Sequence, residues 1–291
     1  MPDIWGTTQV VGVIGWPVRH SFSPPMQNAA LAAMGLDWVY VPFPVAPDDL
    51  PAALAGFRAA GLVGFNATIP HKQALLPLVD LPTEEALLTG TVNTVHFTPQ
   101  GIVGDSTDGP GFVAALAADG CAVSGRRAVV LGAGGSARAV SVSLVRAGVE
   151  RVVVANRTLA RAEELCELLC SRVRTGSAQA MALDSPRLET TLAQADLIVN
   201  TTSVGMHPNV DEQPVALPAL AAGAWLVDII YNPARTRLMS AAAEAGAEVR
   251  NGVSMLAYQG ALSLARWTGA DPPAELMRSR LAEELARRQA G

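Results

Sequence analysis

The chain predicts an α/β fold in two domains. The first is an N-terminal α/β domain with a mostly parallel sheet, the second an α/β domain built around a glycine-rich turn, and C-terminal helices pack back on the first. Three observations carry this reading. The 291 residues exceed the usual size of one compact unit. Strand-like and helix-like stretches alternate through the first hundred residues, a βαβαβ rhythm that favours parallel strands. The rhythm resumes around Gly132-Ala133-Gly134-Gly135-Ser136-Ala137, near the middle of the chain.

Each element has a local reason. Residues 10–14 read as a strand, and 24–34 as a helix with Ser23 as its cap and Pro24 at its first position. Residues 38–43 alternate as a strand does. Residues 47–60 have helical spacing and carry Asp48 and Asp49 near the positive end. Residues 64–69 read as a strand that must stop at Pro70. In the second half, 128–131 is a short buried strand, and 136–147 a helix ended by Gly148. A strand at 151–155 and a helix at 159–173 follow, then strands at 195–200 and 225–230. Residues 254–288, rich in Ala, Leu, Arg and Glu, are helical, and the tail 286–291 is expected to fray. The Gly/Asp/Ser/Thr/Pro cluster at 105–110 marks the boundary. The expected domains are 1–107 with 258–291, and 108–257.

Composition excludes several classes. Half the residues are hydrophobic and 16% are charged, enough for true cores and against general disorder. The net charge of -5 argues against non-specific nucleic-acid binding, though not against a local basic pocket. Met1-Pro2-Asp3-Ile4-Trp5 does not read as a signal peptide, and no apolar run reads as a membrane span. A cytoplasmic protein with reduced thiols is expected. Cys166 and Cys170, one helical turn apart, read as buried or partly buried thiols, because no further metal ligands lie nearby.

The order strand, Gly132-x-Gly134-x-x-Ala137, helix fits a Rossmann-type dinucleotide fingerprint. Gly132 permits the tight turn, Gly134 removes bulk where a pyrophosphate approaches, and Ala137 lets helix and strand pack closely. Backbone N–H groups at the helix start then face the phosphates. The end of the next strand selects the cofactor. An Asp or Glu there would repel a 2′-phosphate; this chain has Asn156-Arg157-Thr158, with Arg161 close behind. Arginine pairs with phosphate in a bidentate way and threonine donates to it, so NADP(H) is expected rather than NAD(H).

Small polar side chains gather at other strand ends and loops: Ser21 and Ser23, Thr68 with Lys72, Asn93-Thr94, and Thr107-Asp108. They suit a ligand with several hydroxyls and a carboxylate. Taken singly, each also reads as a turn or cap residue. The ordered set Gly15-x-Pro17-x-x-His20-Ser21-x-Ser23-Pro24, Asn66-x-Thr68-x-Pro70-x-Lys72, Val92-Asn93-Thr94 and Thr107-Asp108-Gly109 resembles the shikimate dehydrogenase family. So do the glycine turn, Asn156-Arg157-Thr158, Asn200-Thr201-Thr202, Asp228-Ile229-Ile230-Tyr231 and Gln259-Gly260-Ala261, across nearly the whole chain.

The resemblance implies NADPH-dependent reduction of 3-dehydroshikimate to shikimate in aromatic amino-acid biosynthesis. It implies that Ser21 and Ser23 bind the substrate carboxylate and that Thr68, Asn93, Asp108 and Gln259 bind its hydroxyls, with Tyr231 lining the site. Lys72 and Asp108 become the catalytic pair. Gly132, Ala133, Gly134, Gly135, Ser136, Asn156, Arg157, Thr158 and Arg161 hold the cofactor, and Ile229, Gly252 and Glu84 add contacts near the nicotinamide. The chemistry agrees: hydride delivery to a ketone builds negative charge on oxygen, which a cationic lysine stabilises while supplying the proton. The implied partner is a small molecule, with no nucleic acid, membrane or metal; a homodimer is the assembly considered. Ala67, Thr91 and Ser106 depart from the pattern, standing where Val, Ala and Asn are usual. Two alternatives stay open: a preference for quinate, and a dinucleotide-binding regulator without the chemistry. His71 is read as without a direct role, with cleft lining as the lesser alternative, and Trp16 as a packing residue, with contact to substrate or a partner chain as its alternative. Trp267 is read as an anchor for the terminal helices.

Overall fold

The computed structural model describes residues 4–173 and 177–290. Met1–Asp3 and the last residue of the expected frayed tail lie outside them. The chain divides into two compact units, Met1–Gly111 with Leu256–Gly291, and Phe112–Met255.

The first unit opens with β1 (Gln9–Gly15), α1 (Ser23–Ala33), β2 (Trp38–Pro44), α2 (Leu50–Ala59) and β3 (Gly64–Ala67). It continues with β4 (Leu81–Pro82), α3 (Glu84–Thr89), β5 (Thr94–Thr98), β6 (Gly101–Asp105) and the first turn of α4 (Asp108–Ala118). The second unit runs through β7 (Arg127–Leu131), α5 (Gly135–Arg146), β8 (Arg151–Asn156), α6 (Leu159–Leu168) and β9 (Ala178–Ala182). It ends with α7 (Leu188–Ala193), β10 (Leu197–Asn200), β11 (Trp225–Asp228), α8 (Arg237–Glu244) and β12 (Glu248–Arg250). The chain returns to the first unit within α9 (Val253–Thr268) and finishes with α10 (Ala274–Ala290).

The first sheet has the order β2-β1-β3-β5-β6-β4. The β1–β2, β1–β3 and β4–β6 pairings are parallel, while β5 runs antiparallel to both β3 and β6. Its core is Ile14, Leu50, Leu54, Phe65, Val92 and Val95, with Phe43, Phe57, Phe65 and Phe97 in successive ring contacts. Trp267 of α9 is buried and donates from Nε1 to the Val95 carbonyl at 2.9 Å, so it ties the terminal helices to β5. Gly64 makes room for that ring: a Cβ there would lie 2.4 Å from the indole nitrogen. The second sheet, β12-β11-β10-β7-β8-β9, is parallel throughout. Strands buried on both faces explain the near-continuous apolar runs of β7 and β8.

Several elements differ from their sequence expectation. The strand expected over 64–69 ends at Ala67; Thr68 and Ile69 leave the sheet, and Ile69 is exposed. The helix expected over 47–60 is a 3-10 turn followed by α2. The one over 159–173 is α6 followed by a π-helical turn, Leu169–Val173. The stretch 254–288 is two helices, broken where Gly269 takes a positive φ and Pro272-Pro273 follow. Cys170 is exposed, whereas Cys121 and Cys166 are buried. Among the described residues no group of side chains is arranged to hold a metal ion, and no helix is long and apolar enough to cross a membrane.

Candidate active site

The end of β3 delivers Lys72 to its partner. After Ala67 the chain turns through a cis Ile69–Pro70 bond, closed by the His71 N–H donating to the Thr68 carbonyl at 2.9 Å. The His71 ring is buried, with Nε2 2.9 Å from the Val45 carbonyl. It anchors the turn rather than lining a cleft. Val92 N–H bonds the Lys72 carbonyl at 2.8 Å, fixing the next residue's backbone. Lys72 Nζ then donates to Asp108 Oδ2 at 2.5 Å. The lysine side chain is 29% exposed and the aspartate 9%. Asp108 is the first residue of α4, where the helix dipole favours a carboxylate.

Asn93 holds the other carboxylate oxygen. Its Nδ2 donates to Asp108 Oδ1 at 2.8 Å and Thr107 Oγ1 at 3.0 Å, with Gln259 Oε1 at 3.3 Å. Its Oδ1 accepts from the Thr107 backbone N–H at 2.8 Å. Gln259 reaches this cluster because α9 and α4 touch at Gly111, where a Cβ would lie 2.5 Å from the Gln259 backbone. Lys72, Asn93, Asp108 and Gln259 therefore form one cluster with an open ammonium edge.

Ser21 and Ser23 are half-buried at the start of α1, the Ser21 hydroxyl accepting from the Ser23 N–H at 3.2 Å. Thr68 is half-buried, and its N–H bonds the Ile14 carbonyl at 3.0 Å. A Cβ at Gly15 would lie 2.6 Å from the Thr68 methyl, so that glycine lets β1 end beside Thr68. Trp16 is 51% exposed, against the packing role expected of it. Glu84 is exposed in the first turn of α3, which the Thr83 hydroxyl caps.

The second unit carries the glycine turn between β7 and α5. Gly132 has φ +107°, and a Cβ there would meet the Thr201 hydroxyl at 2.7 Å. That hydroxyl donates to the Leu131 carbonyl at 2.7 Å and braces the turn. Gly134 precedes α5, and a Cβ on it would meet nothing within 4 Å, so Gly134, Gly135 and Ser136 start the helix with open space in front. Ala133 is half-buried beside them. This cradle, with free N–H groups at a helix start and no bulk before it, fits a pyrophosphate. At the end of β8, the Asn156 amide donates to the Thr158 carbonyl at 2.8 Å, while Arg157, Thr158 and Arg161 are exposed.

At the end of β11, Asp228 is fully buried. It accepts from Thr236 Oγ1 at 2.8 Å and from Asn200 Nδ2 and the Ile230 N–H at 3.1 Å each. Burial pushes its carboxyl above the ordinary range against those bonds. The clamp fixes the segment carrying Ile229 and half-buried Tyr231. Gly252 lies against it, since a Cβ there would sit 2.0 Å from the Ile229 carbonyl oxygen.

Three family models match. The shikimate dehydrogenase substrate binding domain matches residues 13–95, shikimate/quinate 5-dehydrogenase residues 115–230, and the shikimate 5′-dehydrogenase C-terminal domain residues 252–282. The chain is 49% identical over 286 residues to the NADP(+) shikimate dehydrogenase of Geobacter metallireducens, covering 98% of this chain and 100% of that protein. It belongs to the shikimate dehydrogenase family. Two solved structures of the family agree. The Listeria monocytogenes shikimate 5-dehydrogenase, in complex with shikimate and NAD, superposes with a TM-score of 0.91 at 34% identity, covering 97% of this chain and 99% of that one. The Thermus thermophilus enzyme, in complex with NADP(H) and shikimate, gives 0.85 at 37% identity, covering 94% and 99%.

Within this family member, the buried Tyr40 and Ser263 join the Asn66–Asn93 network, and neither belongs to the expected site. A signal for Ser263 was its spacing four residues after Gln259, on the same helix face. Tyr40, inside an apolar strand, gave none.

Proposed function

We propose that the protein catalyses the reversible NADPH-dependent reduction of 3-dehydroshikimate to shikimate, with Lys72 as proton carrier and Asp108 as its orienting partner. The observation that carries this is the 2.5 Å ion pair with both Asp108 oxygens engaged, one by Lys72 and one by Asn93. A carboxylate so held is a firm support for a cation. The ammonium protons not given to Asp108 are then available to a carbonyl oxygen that gains charge in the transition state. In reduction Lys72 gives up a proton to the new alkoxide; in oxidation it accepts one, and because the overall oxidation releases a proton, high pH favours that direction.

NADPH supplies the hydride. Gly132, Ala133, Gly134, Gly135 and Ser136 would hold its pyrophosphate, and Asn156, Arg157, Thr158 and Arg161 its 2′-phosphate. Ile229 and Gly252, with Glu84, are assigned to the nicotinamide side. Ser21 and Ser23 would take the substrate carboxylate, and Thr68, Asn93, Gln259 and Tyr231 its hydroxyls. The proposed setting is the cytoplasm and the proposed assembly a homodimer, the latter tested by light scattering.

The deciding experiment is a matrix of shikimate and quinate, each with NADP+ and NAD+, followed at the NAD(P)H absorbance. Turnover with shikimate and NADP+ alone is expected. Equal turnover with quinate or NAD+ would broaden the substrate assignment, and no turnover in any combination would overturn it.

A further inference from the structure

We infer that Ser263 and Tyr40 are positioning residues, linked through Asn66 into one buried chain that joins the two ends of the proposed substrate site. The inference rests on the reading above for what each end binds. The Tyr40 ring lies fully inside the first unit, and its hydroxyl meets the Ser23 side chain at one side. At the other it donates to Asn66 Oδ1 at 2.9 Å.

That donation fixes the Asn66 amide. Its Nδ2 faces the opposite way and donates to Ser263 Oγ at 2.8 Å and to the Asn93 carbonyl at 3.1 Å. The Ser263 hydroxyl also lies 2.7 Å from Thr94 Oγ1, 3.1 Å from Thr107 Oγ1 and 3.0 Å from the Gln259 carbonyl. It has no exposure to solvent. Thr107 precedes Asp108, and its backbone N–H orients Asn93. Ser263 is thus the node where Asn66, Thr94 and Thr107 meet, one bond from the groups that hold Asp108.

A hydroxyl is a costly group to bury unless its bonds are used, and here the hydrogen-bonding capacity of Ser263 is spent on the support of the site. The chain divides its effect by position. Tyr40 stands beside Ser23, the seat proposed for the substrate carboxylate. Ser263 stands beside Thr107 and Asn93, which aim Asp108 at Lys72.

The test is steady-state shikimate oxidation with NADP+ by Ser263→Ala and Tyr40→Phe, run in H2O and D2O beside the parent protein. Ser263→Ala is expected to lower kcat about tenfold and to raise the solvent isotope effect, because proton transfer through a looser Lys72–Asp108 pair becomes more rate-limiting. Tyr40→Phe is expected to raise KM for shikimate about fivefold with kcat within twofold and KM for NADP+ unchanged. A lower kcat with an unchanged isotope effect would mean fewer folded molecules and would overturn the Ser263 role. Should Ser263→Ala fold poorly, Tyr40→Phe reads the same chain from its other end, and an unchanged KM there overturns the link. An inactive parent protein would refute the proposed reaction instead, so the two failures are distinct.

Discussion

Thr107 decides which way Asn93 points. Its backbone N–H, a donor that no rotation can turn into an acceptor, lies 2.8 Å from Asn93 Oδ1. The Asn93 amide protons must therefore face Asp108. Asn93 then holds Asp108 first, and a substrate hydroxyl can only share a group already bonded.

Asn93→Ala removes this brace and leaves the Thr107 N–H and an Asp108 oxygen without a partner. The cost in stability is about 1–3 kcal/mol for the unmet buried groups. Chemical unfolding should register that loss, and kcat should fall together with it. An unchanged kcat in the folded fraction would show that Asp108 is aimed by other contacts.

Lys72→Ala should lower turnover by orders of magnitude while shikimate binding changes little, because in the proposed role the lysine would act mainly on charge that develops in the transition state. Isothermal titration and single-turnover kinetics separate the two. Near-normal turnover would remove Lys72 from the chemistry.

Arg157→Ala should raise KM for NADP+ by tenfold or more and leave KM for NAD+ nearly unchanged. Arg157 is exposed at the end of β8, so its loss should disturb no core. An equal rise for both cofactors would mean that the arginine acts elsewhere than on a 2′-phosphate.

Asp196 gives a pH prediction. Two side-chain bonds from Arg127 at 2.9 Å each hold its carboxyl well below the usual range, at about 2. A lowered folded value means that the pair stabilises the fold fully above the ordinary value of 3.8 and loses that contribution as pH falls through about 2. Both side chains are partly exposed, so the gain is modest. Asp196→Asn should lower the urea midpoint at pH 6, and the two proteins should converge near pH 2. A difference that persists undiminished at pH 2 would contradict the ion-pair origin.

Local signals carried much of the fold. The glycine turn with its flanking strand and helix was legible because backbone geometry and close approach leave few residue choices. The β5–β6 hairpin was not, since Thr94–Thr98 and Gly101–Asp105 mix Thr, His and Gly with few apolar residues and take their strand form from partners, β5 from β3 and β6, and β6 from β5 and β4. β3 ends two residues earlier than Pro70 alone predicts, because the chain already leaves the sheet at Thr68. In the site, Lys72 and Asp108 are 36 positions apart, and no periodicity joins them. Their pairing was expected only from the order of motifs along the chain. Ser263, among Ala and Leu, offers only its spacing four residues after Gln259 as a signal, and Tyr40, inside an apolar strand, offers none.

The bond between Asn66 and Ser263 spans 197 positions, and that between Gln27 and Gly260 spans 233. Such contacts have a consequence for biosynthesis. A ribosome releases Lys72, Asn93 and Asp108 long before it reaches α9, so the first unit must wait, half made, until the whole of the second has emerged. The second unit, continuous from Phe112 to Met255, has no such delay. In the nascent protein the segment in the middle is expected to mature first and the beginning later, with the emergence of α9 as the event that completes the proposed catalytic cluster.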